Sequence, residues 1–168
     1  MKEILEKLSS YNIFNNLLPG ILFVVLAKAT TSYDFIQTDI FLGSFLYYFI
    51  GLIISRFGSL IIEKILIKTK FVKYADYKKF LLAQKEDESI NIMLEANNMF
   101  RTLSSMGLLL LLLYLYDYLS TLFEISSTIT YILLTVLIVI LFLFSFRKQT
   151  DYIRKRVENI TEKRKTIE

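Results

Sequence analysis

Ser105 to Leu122 reads SMGLLLLLLYLYDYLSTL, and within it Met106 to Tyr116 carries no charge. With its flanks the run reaches the roughly 20 residues that a membrane-crossing helix needs. The chain of 168 residues is one domain by length, and 54% of it is hydrophobic. That exceeds the about 45 to 50% of an ordinary soluble domain. The excess is gathered into blocks, so the sequence predicts an all-α integral membrane four-helix bundle.

Working outward, the third span is expected at 100–122 and belongs to a longer helix that begins near Ser89. The fourth, 128–146 (TITYILLTVLIVILFLFSF), is the cleanest block in the chain. The second, 40–62, follows Asp39 as N-cap in a helix with no proline as far as Lys68. The first, 12–33, is the weakest. Its continuous apolar block, Leu17 to Ala27, covers about half a bilayer core, and Pro19 removes a backbone donor and is expected to kink it. Asn12, Asn16 and Gly20 recur every four residues and so share a face, which should point at protein or water rather than lipid.

The remaining segments are more polar. Residues 1–10 place Ile4, Leu5 and Leu8 on one side of an amphipathic surface helix, and their charges argue against a removable signal peptide. The connection 63–99 is charge-rich and aromatic, which predicts an interfacial helix from about Phe71 to Leu82 followed by a turn at Lys85 to Ser89. Residues 147–168 read as a basic amphipathic helix. Phe146, Ile153, Val157, Ile160 and Ile167 fall at heptad-like spacing along it, which suggests self-association or packing on residues 69 to 100.

Basic residues set the expected orientation. Of 20 Lys and Arg, all but Lys28 lie in the N-terminal segment, at the inner end of span two, between 64 and 101, or after Phe146. The positive-inside rule then predicts four spans with both termini and the middle connection cytoplasmic, the helices extending into a cytoplasmic stalk.

The inventory narrows the chemistry. With no His and no Cys, imidazole catalysis, thiol nucleophiles and most zinc sites are excluded. No phosphate loop, paired-carboxylate motif or nucleophile elbow is present, so neither an enzyme nor a cofactor is expected. The informative pattern is a coincidence of depth. Asn12, Asn15 and Asn16, Arg56 and Glu63, and Asn97, Asn98, Arg101, Ser104 and Ser105 all fall near the cytoplasmic leaflet. A polar mouth gated by Asn16, Pro19, Arg56, Glu63, Asn97, Asn98 and Arg101 is one reading. The plainer one is that the arginines reach lipid phosphates while the amides stitch helices together. Arg56 and Glu63, two turns apart, are expected to share one face, next to that of the small residues. Ser44, Gly51, Ser55 and Gly58 form a small-residue face for close helix packing. Arg147, Lys148, Arg154, Lys155 and Arg156 are expected to meet a partner or anionic lipid, and lipid is favoured over nucleic acid as the direct contact.

Three stretches, YNIFNNLLPGILF (Tyr11 to Phe23), FVKYADYKKF (Phe71 to Phe80) and EANNMFRT (Glu95 to Thr102), resemble those of small four-helix bacterial membrane proteins, some of which are effector subunits in antiphage defence operons. The resemblance implies a homo-oligomer that forms a pore or perturbs the inner membrane when a cytoplasmic partner or nucleotide signal triggers it. These residues include no separate soluble sensor domain of the kind many such effectors carry. The rival expectation is a passive membrane anchor that presents its basic stalk to a soluble protein.

Overall fold

The computed structural model describes the backbone of residues 2–165 and the side chains of residues 13–161. The surface helix expected within residues 1–10 and the side chains of Asn12, Arg164 and Ile167 therefore lie outside the described side chains. The described chain is helical apart from its connections, without strands: α1 (Lys2–Thr30), α2 (Ile40–Phe57), a π-helical segment (Gly58–Ile62), α3 (Glu63–Lys68), α4 (Tyr77–Glu86), α5 (Ser89–Leu122) and α6 (Ser127–Lys165). Four stretches, Ile13–Thr30, Ile40–Lys68, Ser89–Leu122 and Ser127–Thr161, are long and apolar enough to cross a membrane. Four such helices suggest a membrane protein. At 1.5 Å per residue α5 and α6 are about 51 and 58 Å long, well beyond the roughly 30 Å of a hydrocarbon core.

Local chemistry sets most boundaries. Asp39 caps α2, its Oδ1 accepting from the Leu42 amide at 2.8 Å. α3 ends with Lys70 at φ 61°, where the Phe71 amide donates to the Leu66 carbonyl and the Lys70 amide to Ile67. α5 closes the same way at Glu124, φ 50°, with Ile125 donating to Ser120. Both are Schellman turns at a position that usually holds glycine. The amphipathic segment expected from about Phe71 is helical only from Tyr77. The left-handed Lys70 reverses the chain first, and Asp76 then nucleates α4 by accepting from the Lys78 and Lys79 amides.

The helices run up, down, up and down. α2 is central and packs on α1, α5 and α6, while α1 also packs on α5. The core they share is narrow and mixes small side chains with a few branched ones. Val24, Ala27, Ile54, Pro19 and Ser105 are essentially solvent-free. α1 and α2 cross so closely that a Cβ on Gly51 would overlap the Asn16 carbonyl, and one on Gly20 would overlap the Tyr47 carbonyl. Such backbone-to-backbone approach is how membrane helices gain dispersion energy where lipid offers no hydrophobic drive. The end of the bundle that carries loop 31–39 is tied by Asp117, which accepts from the Ser32 amide at 2.9 Å and the Ser32 hydroxyl at 2.5 Å. Tyr116 and Thr130 hydroxyls meet at 2.7 Å between α5 and α6.

α6 is attached differently. No residue of its apolar span is buried. It leans on α2 through the stacked rings of Phe49 and Phe142, 6.0 Å apart, and is fastened further along by a polar cluster.

Candidate functional site

The cluster begins with an irregularity in the second span. Gly58 is buried with no room for a side chain: an added Cβ would strike the Ser105 hydroxyl on α5 and lie 3.5 Å from Arg101 Cγ. Here the backbone widens into a π-helical turn, in which the Glu63 amide donates to the Gly58 carbonyl five residues back. One residue accommodated this way turns everything downstream by roughly 100° relative to a regular helix. Glu63 is therefore not presented beside Arg56, as an uninterrupted helix would have it. It faces α5 and α6.

Two cations meet it there. Arg101 from α5 donates through Nη1 to Glu63 Oε2 at 2.6 Å, and Lys148 Nζ from α6 lies 3.2 Å from Oε1. Lys148 also donates to the Ser59 carbonyl at 2.7 Å and to Ser59 Oγ at 2.8 Å, so its three N–H bonds are all used. The three charged side chains are 13%, 18% and 21% exposed for Glu63, Arg101 and Lys148. A charge withdrawn that far from water must be paired and hydrogen-bonded to persist. One carboxylate thus joins α3, α5 and α6. Arg101 Nε is buried without an acceptor, and the Tyr152 ring lies 5.6 Å from Lys148 Nζ.

Beside this clamp, between α2 and α6, is a small cavity of ≈ 20 Å³ lined by Arg56, Ser59, Ser145, Lys148, Gln149 and Tyr152, among others. A wider open groove of ≈ 320 Å³ follows along α6 and is lined by Tyr77, Tyr152, Ile153, Arg156 and Val157. Among the described residues, no three His, Cys, Asp or Glu side chains converge to hold a metal ion. Among known protein families, curated proteins and solved structures, nothing matches this chain significantly.

The polar residues singled out from sequence separate into distinct places. Glu63 and Arg101 come together, and Lys148, expected at a partner or lipid surface, joins them. Arg56 lines the adjacent cavity instead. Asn97 is exposed, Asn98 is half-buried with its carbonyl accepting from Thr102, and neither reaches the clamp. Asn16 contributes its carbonyl to the α1–α2 crossing, and the neighbouring Asn15 Oδ1 is buried without a partner. Pro19 is fully buried inside an unbroken α1. Of the small residues, Gly51 faces α1 and Gly58 faces α5, Ser55 is half-buried, and Ser44 is exposed with its hydroxyl on the Ile40 carbonyl. Arg147, Lys155 and Arg156 are exposed, and Arg154 sits 3.2 Å from Asp151 on the same helix. Ser59 and Gln149 were not expected at the site. A hydroxyl within an apolar run, or one amide within a charged one, carries no signal until the register of two helices is known.

Proposed function

We propose that this protein is a non-enzymatic inner-membrane subunit that assembles with further copies and alters bilayer permeability, the Glu63 clamp acting as its latch. One observation carries the reading: the partly buried ion cluster fastens an otherwise little-packed α6 to the bundle. Buried side chains such as Val24, Ala27, Ile54 and Ser105 fill the α1–α2–α5 core, so a conducting path would have to open between copies or where α6 parts from α2. The apolar flank of α6 supports lateral association, since lipid or another copy must cover it. The distribution of basic residues supports a cytoplasmic position for the clamp and both termini. A role in bacterial antiphage defence, triggered through residues 63–99 and 147–168, rests on the resemblance of the Tyr11, Phe71 and Glu95 stretches.

The test measures membrane potential and dye entry in cells expressing the chain from a tight promoter, beside Glu63→Gln and Arg101→Leu. At matched membrane levels the two variants are expected to leak more than the parent, because unlatching α6 removes a restraint. Identical impermeability of all three refutes the proposal. A second reading, a passive anchor for a soluble protein, is favoured by the exposed basic side chains of Arg147, Lys155 and Arg156. Deleting residues 147–168 separates the two, since an anchor loses partner recruitment whereas a latched pore becomes unregulated.

A further inference from the structure

The cavity beside the clamp has chemistry of its own, distinct from the permeability reading and independent of it. Asp39 to Arg56 spans about 26 Å and Thr128 to Lys148 about 30 Å at 1.5 Å per residue. With Asp39 and Thr128 at one interface, Arg56 and Lys148 both arrive at the headgroup level of the other. Charge there is unbalanced. Arg56, Arg101 and Lys148 stand against Glu63, a formal excess of two positive charges, and no carboxylate lines the cavity.

The donors are also unequally engaged. Lys148 has spent its three N–H bonds on Ser59 and Glu63. The Ser145 hydroxyl is turned back onto the Leu141 carbonyl. Arg56, half-buried, has no hydrogen-bond or ion-pair partner among the described residues, and the same holds for the Gln149 amide and the Tyr152 hydroxyl. A planar fork of five N–H donors in a cleft, with an amide and a phenol beside it, matches a tetrahedral oxyanion. The ≈ 20 Å³ of space within the cleft admits one oxygen-sized group, since a water needs about 10 to 15 Å³. The rest of such an anion would sit at the cleft mouth, facing the bilayer.

We propose that the α2–α6 cleft seats the phosphodiester of an anionic phospholipid, with Arg56 as the principal donor and the already paired Lys148 contributing charge. A lipid phosphate is favoured over a free one because the cleft opens at headgroup depth beside the exposed apolar surface of α6, where acyl chains lie.

The experiment is native mass spectrometry of the full chain released from detergent micelles after incubation with phosphatidylglycerol or phosphatidylcholine. Phosphatidylglycerol is expected to be retained in preference, and Arg56→Gln to lower its retention about tenfold, the value of one charge-assisted contact. Arg56→Lys, which keeps the charge but lacks the fork, should fall between. Lys64→Gln removes an exposed cation of α3 that lines neither the cleft nor the groove and should change nothing. Equal retention of the two lipids, an equal effect of the Arg56 and Lys64 substitutions, or displacement of the lipid by inorganic phosphate would each overturn the assignment. Because the readout is lipid mass and not leakage, it can fail while the latch stands, and the reverse.

Discussion

Replacing Glu63 by glutamine tests the centre of the bundle. The carboxylate accepts from Arg101 at 2.6 Å and Lys148 at 3.2 Å, and neither cation has another acidic partner among the described residues. The substitution keeps the shape and removes the charge, leaving two cations facing each other in a site where about four-fifths of each is withdrawn from water. Removing one member of a buried pair costs about 3 to 5 kcal/mol, mostly through the uncompensated charge left behind. With some of each cation still wet, about 3 kcal/mol is expected. Replacing Glu63, Arg101 and Lys148 together by methionine removes the burden as well as the bond, and should return the protein to within about 1 kcal/mol of the parent. The assay is equilibrium unfolding in mixed detergent and dodecyl sulfate micelles, followed by circular dichroism. A Glu63→Gln protein within about 0.5 kcal/mol of the parent, or a triple variant weaker than the single one, would refute the reasoning.

Other consequences follow from the packing and the turns. Gly51→Val should separate α1 from α2 and cost at least as much as a typical overpacked core, about 1 to 3 kcal/mol in the same unfolding assay. Gly107→Ala, where nothing lies within 4 Å, should instead stabilise by up to about 1 kcal/mol through helix propensity. Lys70→Gly and Glu124→Gly relieve left-handed residues at φ 61° and 50°, and each should raise stability by about 1 kcal/mol, additively because they lie in separate turns. The Asp34 carboxyl is held below its ordinary 3.8 by a hydrogen bond from Lys28 and a second from the Ile36 amide. Its contribution to loop order is fully present above that value and is lost as pH falls below it through the folded value. Amide exchange across 31–39 should accelerate in that window, and Asp34→Asn should remove the pH dependence.

The sequence by itself determined the helical elements and their apolar lengths. Long apolar runs between polar segments have one physical solution, since backbone groups in lipid must be satisfied within helices. Asp39, the Ser89 start and the leucine run were therefore legible without coordinates. The start of α4 was not, because amphipathic periodicity continues through Phe71 while a left-handed Lys70 and the Asp76 cap decide where the helix begins. The site was half legible. Glu63 and Arg101 stand out as charges bordering apolar runs, but which of them pair depends on rotation about each helix axis, and only packing fixes that. Gly58 pressed against Ser105 and the π turn beside it carry Glu63 away from Arg56 and toward Arg101 and Lys148. Spacing along one helix cannot encode that outcome. It arises where a second helix comes too close for the first to remain regular.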